Sequence, residues 1–349
     1  MNGFRSPPPS RRLRGPHPLP STFRPLLALA LLFPFFAAPL QADTNEVIER
    51  VAHRFIPEKP AVKVSYSVTF RFLGLEIRQL ATATITAVEG AWQAADSTKT
   101  RPACLVSFRL DSLEKNRKVK RGIILHNHIL AILTFPELDA ILYAKRADEN
   151  IRVLTHHKAA DNYEIYDLDG GEFRYTGFDF ARGTTSTNLV GAAELTRQGK
   201  EVCRFLKILY ESYQAPIQDA ASATATNPPF FLYTEGDLVP FDFSLARGRT
   251  PSTILGARLN CLYLKAKPSA KAGGKGRNLE LWAAPFLEVA EHKGQDDMIA
   301  LARETLQWSM IPLVTDLGLS LGCIRGYLTG IDLVPLEDVD PRALATHGM

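Results

Sequence analysis

The chain has 349 residues, of which 46% are hydrophobic, and it carries 41 Lys and Arg against 37 Asp and Glu. Five arginines and no acidic residue lie in residues 1–42, so the remainder holds 36 basic against 37 acidic side chains. This near-neutral remainder gives no global electrostatic ground for a nucleic-acid partner. About 307 residues suffice to bury one large core or two smaller ones.

The first 42 residues are typical of a secretory signal peptide. An arginine-bearing stretch precedes an apolar run of 14 residues from Pro25 to Ala38, and the small residue Ala42 stands just before Asp43. Fourteen residues are too few to span a bilayer as a helix. We therefore expect cleavage near Ala42 and a periplasmic or secreted protein that is not integral to the membrane afterwards. An uncleaved anchor is the alternative.

The residues after Ala42 predict one helix followed by a long series of strands. The stretch from Asp43 to Phe55 has apolar residues at helical spacing, and Pro57 with Pro60 would end it. Alternating polar and apolar residues then run through 62–88 around Gly74, which is typical of antiparallel strands with one buried face. Further strands are predicted in "ACLVSFRL", "GIILHNHILAILTF", "AILYAKR", "IRVLTHH" and "YEIYDL", with turns such as "ADEN" between them.

The predicted organisation has two β-rich halves. A half at 43–214 precedes a loop at 215–229 that is rich in small residues and proline, and a second half spans 230–335 before a tail at 336–349. A further helix is predicted around Asp296 to Glu304. Strands do not alternate with helices of ten to fifteen residues, which disfavours a doubly wound parallel sheet.

One stretch occurs twice. "FDFARGTTST" fills 178–187 and "FDFSLARGRTPST" fills 241–253, and each leads into a segment with a cysteine, Cys203 or Cys261. Neither copy contains a histidine that could act as a general base. Because a supersecondary unit is repeated far more readily than a catalytic apparatus, we interpret the copies as two equivalent hairpin entries into a sheet.

Two motifs suggest chemistry and are set aside. "GLSLG" at 318–322 matches a nucleophile elbow at Ser320, but a glycine-broken, β-like run follows it and too little chain remains for such a hydrolase. His126 and His128 would share one strand face, with His156 and His157 nearby, yet no further ligand marks a zinc site. We assign no catalytic, metal-ligating or cofactor-binding residue from the sequence.

Cysteines and large aromatic residues leave alternatives open. The four cysteines allow three complete disulfide pairings in an exported protein, but each also lies in an apolar run where a free thiol is a small buried hydrophobe. The large aromatic side chains could line a ligand cavity or pack in an ordinary hydrophobic core. The cysteines are Cys104, Cys203, Cys261 and Cys323, and the aromatic residues are Trp282, Phe286 and Trp308.

The order of elements resembles secreted bacterial families of unknown function related to LolA-type lipoprotein carriers. The resemblance is carried by "FRFLGLEIRQLATATITAV", "YTGFDF", "LVGAAELTRQGKEVCRFLKIL" and "ELWAAPF" with "IPLVTDLGLSLGCIRGYL". It implies a strongly curved antiparallel sheet or incomplete β-barrel, a few short helices, and an apolar cavity for lipid or a lipidated protein. We thus expect a non-enzymatic envelope protein with no cofactor; a scaffold for a protein partner is the alternative, and an esterase using Ser320 a remote one.

Overall fold

A computed structural model describes residues 41–72, 75–94, 98–113, 123–135, 140–153, 156–167, 172–179, 184–189, 230–234, 237–270, 278–304, 310–319 and 322–346. Residues 1–40, the predicted loop at 215–229, Cys203, Trp308 and Ser320 lie outside this set. The described residues form a mainly β protein with a few short helices, as the sequence predicts. None of the helices in these ranges is long and apolar enough to cross a membrane.

Fifteen antiparallel strands make up the sheet, and the element bounds are as follows. The strands are β1 (Phe55–Pro57), β2 (Ala61–Phe72), β3 (Leu75–Gln93), β4 (Thr100–Ser112), β5 (Ile123–Thr134), β6 (Ala140–Val153), β7 (His156–Asp167), β8 (Glu172–Asp179), β9 (Thr184–Leu189), β10 (Phe230–Thr234), β11 (Asp237–Arg249), β12 (Asn260–Pro268), β13 (Leu279–Pro285), β14 (Met310–Leu319) and β15 (Gly322–Val334). The helices are α1 (Gln41–Arg54), α2 (Phe286–Lys293), α3 (Asp296–Glu304) and α4 (Pro341–Thr346), with a 3-10 turn at Leu336–Asp338.

The sheet follows chain order with one junction. Its path runs β10 to β15, then β2 to β9, so that β15 pairs with β2, and β1 pairs separately with β3. No pairing joins β10 to β9 among the described strands, so the path is open. Register shifts interrupt several ladders, for example between Val68 and Thr69 and between Trp282 and Ala283. Such irregularities bend strands, in keeping with the curved sheet that the resemblance to lipoprotein carriers implies.

Two apolar cores cover opposite faces of the central strands. On β5, Ile129 belongs to a core completed by α2 and α3, whereas its neighbour Leu130 belongs to a second core completed by α1 and α4. Because successive side chains of a strand point to opposite faces, β3 to β6 are buried on both sides here. We call the side that carries Leu130 the α1 face.

The helix at Asp296–Glu304 is confirmed at the predicted bounds, and α1 covers the first predicted helix. The helix α2 was missed, although its signals are in the sequence. It begins after Pro285 and ends at Gly294, which has φ 65, with His292 and Lys293 in its last turn. Glycine is favoured at such a left-handed helix end, and basic residues there complement the helix dipole.

Two strand boundaries differ from the sequence prediction. The stretch "ADEN", interpreted as a turn, lies inside β6, and the strand predicted across 151–157 is divided between the end of β6 and the start of β7. Pairing with β5 on one side and β7 on the other supplies backbone hydrogen bonds along the whole of β6. Those ladders override the local preference of polar residues for a turn.

The doubled stretch lies in two hairpins that are not equivalent. In the first copy, Phe178 and Asp179 end β8, and β9 begins at Thr184. In the second copy, Phe241 to Arg249 form one continuous part of β11 that pairs with β12. The second copy has two extra residues before its Ala-Arg-Gly, and β11 continues through them to Arg249. The interpretation as hairpins is confirmed, but that of equivalence is wrong.

The partial burial of the Glu89 carboxyl near the end of β3 predicts that stability depends on pH. Burial, opposed by the Lys59 ammonium, raises the pKa of Glu89 to about 7, and Oε1 has no hydrogen-bond partner among the described residues. A carboxyl whose folded-state pKa is raised favours the folded state at acidic pH and loses that contribution as pH rises to about 7. Urea unfolding at pH 5 and pH 8 should therefore show a smaller loss of stability in Glu89→Gln than in the natural protein. If the natural protein and Glu89→Gln lose the same stability between the two pH values, the raised pKa of Glu89 is not the cause.

Candidate functional site

The floor of the candidate site is a polar stripe on the α1 face of β2, β3 and β4. Thr82, Thr84 and Thr86 alternate with apolar residues along β3, so their side chains share one face. Strand register adds the cross-strand neighbours: Lys63 lies opposite Thr86, and Arg109 lies opposite Thr84. Beside the apolar core under α1 and α4, the sheet therefore presents hydroxyl groups and two cations.

The wall of the site comes from residues 334–344, which return over the sheet after β15. Val334, Val339 and Leu344 are half-buried and pack against the core of the α1 face. The carboxylates of Asp338 and Asp340 line the same space. Floor and wall enclose a groove of about 430 Å³, which we call the C-terminal groove. This volume is in the range of small-molecule sites.

Hydrogen bonds fix the wall to the floor. The hydroxyl of Ser107 on β4 donates to the backbone carbonyl of Leu344 at 3.1 Å, and its Oγ lies 2.9 Å from Nε2 of the buried His128 on β5. In the first turn of α4, the Arg342 guanidinium donates to the carboxylate of Glu49 on α1. The helix α4 is thereby held at both sides, so the groove has a defined width.

The contact between Ser107 and His128 is not a catalytic pair. A hydroxyl has one hydrogen, and here Ser107 gives it to Leu344, so Nε2 of His128 must be the donor in the 2.9 Å bond. A general base would have to accept that hydrogen. The pair therefore anchors the wall and is not poised to create a nucleophile.

Arg109, Asp111 and His126 form a second, more exposed network on the floor. Asp111 accepts a hydrogen bond from Arg109 Nε and lies 2.8 Å from Nδ1 of His126. The sequence prediction that His126 and His128 share a strand face is confirmed, since they lie opposite Asp111 and Arg109 of β4. Within the described residues, no group of three acidic, histidine or cysteine side chains is placed to hold a metal ion.

Two charges in the groove are left without an ion pair. The structure gives none to Lys63 or Asp338 within the described residues, and both side chains are exposed. Asp340 uses Oδ1 to accept from the backbone N–H of Arg342, which caps the first turn of α4. Lys63 and Asp338 therefore remain available to a ligand.

An aromatic and ionic cluster lies on β12 to β15, where Trp282 and Tyr327 pack against the core completed by α2 and α3. The rings of Tyr263 and Trp282 stack with centroids 4.7 Å apart, and Arg325 lies 5.8 Å from the rings of both Trp282 and Tyr327. Arg325 donates two hydrogen bonds to the carboxylate of Asp316, and this ion pair is mostly buried. Because Arg325 and Asp316 already neutralise each other, we interpret this cluster as a structural contact that holds β13, β14 and β15 together.

The other residues singled out from the sequence fall into core or hairpin. Phe286 is fully buried in the core formed with α2 and α3. Cys104, Cys261 and Cys323 are free thiols, and burial raises the pKa of Cys261 to about 11. The strands β14 and β15 form an antiparallel hairpin on either side of Ser320, so no helix follows "GLSLG" as a nucleophile elbow requires.

Sequence reasoning missed the C-terminal groove because it treated 336–349 as a tail. The segment "DVDPRALAT" does carry a helix signal, since Asp340 precedes Pro341 at the first helical position. The polar half of "ATATITAV" was noted only as the outer face of a strand. The opposite face of β3, where an apolar cavity was expected, packs in the core shared with α2 and α3.

Comparison with known proteins leaves the family open. No protein-family model matches the chain, and no curated protein matches it. A crystal structure from Brucella abortus, of a beta-barrel-like protein of the domain of unknown function DUF1849, is similar with a TM-score of 0.33 and 10% identity. That similarity covers 80% of this chain and 99% of the other. The fold stated above rests on this chain's own strand pairing.

Proposed function

We propose that the protein is an exported, non-enzymatic binding protein of the bacterial cell envelope that holds an amphipathic, lipid-like molecule in the C-terminal groove. One observation carries the proposal: the groove has an apolar wall facing a polar floor. Val334, Val339 and Leu344 offer carbon surface to a chain, while Lys63 and the threonines of β3 offer hydrogen bonds to a head group. A ligand with both halves matches both surfaces.

Further support comes from the leader and from the site's chemistry. The signal-peptide pattern of residues 1–42 favours export, and the resemblance to lipoprotein carriers favours lipid or a lipidated protein as the ligand class. The hydrogen of Ser107 is committed to the wall, which favours binding over catalysis in this groove. Burying an acyl chain there would gain about 0.8 kcal/mol for each methylene removed from water.

We expect affinity to depend on chain length. For alkyl ligands with one head group, each pair of methylenes that fits the groove should strengthen binding about tenfold, since two buried methylenes contribute about 1.6 kcal/mol. Isothermal titration below the micellar concentration measures this dependence on chain length.

Native mass spectrometry of protein taken gently from its own periplasm should show a bound lipid. No copurified lipid together with no alkyl binding would overturn the proposal.

A matched pair of variants locates the site. Val339→Asn places a polar group on the wall and should weaken alkyl binding about tenfold or more, by removing apolar contact and adding an amide that must be desolvated. Leu336→Asn changes an apolar residue of the same segment that is 40% exposed and does not line the groove. This control should bind normally. Equal binding by both variants would place the ligand elsewhere.

The alternatives give different outcomes in the cell. Crosslinking in intact cells that captures one abundant protein and no lipid would favour an envelope scaffold over a lipid binder. Labelling by a fluorophosphonate that disappears in Ser320→Ala would favour an esterase. We expect lipid adducts and no such labelling.

A further inference from the structure

The charges of the C-terminal groove are divided between its two sides. The cations, Lys63 and Arg109, stand on the sheet floor, whereas the acids Asp338 and Asp340 stand on the returning segment. Arg109 is already matched by Asp111, its neighbour on β4. With Arg109 matched, Lys63 leaves the floor positive and the two acids make the wall negative, and neither Lys63 nor Asp338 has an ion pair among the described residues.

We propose that the groove selects a zwitterionic head group, whose anionic centre is bound by Lys63 and whose cationic centre is bound by Asp338. This inference rests on the proposed function and names the ligand class of the same site. An anionic head alone would place its charge between Lys63 and the acidic wall, and a cationic head alone would lie near the basic floor. Only a ligand with both charges meets an opposite charge on each side.

Strand geometry makes the arrangement feasible. Lys63 lies on β2 and Arg109 on β4, two strands apart, so their backbones are separated by about 10 Å. The Lys63 side chain can reach a phosphate-sized anion above Thr84 and Thr86 of β3, while Arg109 stays paired with Asp111. Threonine hydroxyls can donate to the same oxygens. Asp332 lies opposite Lys63 on β15, and the described residues show no ion pair between their side chains.

Exposure sets the size of the expected effect. Lys63 and Asp338 are both exposed, and exposed ion pairs contribute modestly. We therefore expect a preference of about three- to fivefold for a zwitterionic over a singly charged head of equal chain length at low salt. The preference should fall as salt is raised, because added ions screen exposed charges.

The experiment compares four amphiphiles whose hydrocarbon chains have the same length, below their micellar concentrations: a lysophosphatidylcholine, a lysophosphatidylglycerol, an alkyl trimethylammonium salt and a monoacylglycerol. Glycerophosphocholine, which has the head group without the chain, is a fifth ligand. The natural protein should bind the lysophosphatidylcholine best. Glycerophosphocholine should bind at least a hundredfold more weakly, since it gains nothing from the apolar wall.

Two variants should change the order of preference in opposite directions. Lys63→Gln removes the positive floor charge and should favour the trimethylammonium ligand over the phosphatidylglycerol ligand. Asp338→Asn removes the negative wall charge and should favour the phosphatidylglycerol ligand. Lys267→Gln and Glu337→Gln are the matched controls, because both side chains are exposed and neither lines the groove. These controls should keep the natural order.

The outcomes separate this inference from the function on which it rests. If all four amphiphiles bind with equal affinity, or if neither variant changes the order, the zwitterion inference is wrong while lipid binding stands. If glycerophosphocholine binds as tightly as the lysolipid, the site is a head-group site and the apolar wall has no role. If none of the amphiphiles binds, the proposed function itself is wrong.

Discussion

Replacing Asp316 by alanine should destabilise the protein by about 3–5 kcal/mol, the usual result of breaking a buried ion pair by removing one partner. The side chains of Asp316 and Arg325 are only 12% and 11% exposed. Without the carboxylate, the Arg325 guanidinium stays between the rings of Trp282 and Tyr327 with its charge uncompensated. Urea unfolding followed by circular dichroism measures the loss.

Two controls separate burial from charge. Lys265→Ala breaks an ion pair with Glu280 whose side chains are 61% and 32% exposed, and it should cost less than about 1 kcal/mol. The double variant Asp316→Leu with Arg325→Met removes both buried charges and should recover most of the lost stability, because apolar replacements often match a buried pair. An Asp316→Ala variant no less stable than Lys265→Ala would contradict the role given to burial.

Replacing Gly90 by alanine should also be costly, for a steric reason. A Cβ built on Gly90 would lie 2.1 Å from the backbone carbonyl oxygen of Ile56, where β1 pairs with β3. Because that oxygen belongs to the backbone, β1 must move away as a unit. Overpacking typically costs about 1–3 kcal/mol, and this contact is at the severe end. A lowered urea midpoint checks the prediction.

Gly248 is the matched control for Gly90. It also lies in a strand, β11, but a Cβ there would meet nothing within 4 Å. Gly248→Ala should leave stability unchanged or raise it slightly, since glycine is unfavourable in a strand interior. A loss in Gly248→Ala as large as that in Gly90→Ala would mean that strand glycines are needed for flexibility, against the steric explanation.

Strands such as β3 could be predicted because they are long and their polar and apolar residues alternate. "ATATITAV" predicts a strand with one polar and one apolar face, and β3 has that arrangement. The helix α3 was predicted for a similar reason, since Met298, Leu301 and Ala302 are buried at helical spacing. In these elements, local pattern and tertiary packing agree.

The site could not be predicted because it depends on contacts between distant parts of the chain. Ser107 and Leu344 are 237 residues apart, and Arg342 meets Glu49 across 293 residues. No periodicity in a strand of β2, β3 or β4 reveals what will lie on its polar face. The division of the strand at 151–157 shows the same limit, since partners on both sides decided it.

The attachment of α4 to α1 also sets an order of assembly. Because α1 and the floor strands precede β15 in the chain and the wall follows it, the wall is synthesised last. The core of the α1 face therefore stays incomplete in a growing chain until Val339, Leu344 and Ala345 have been made.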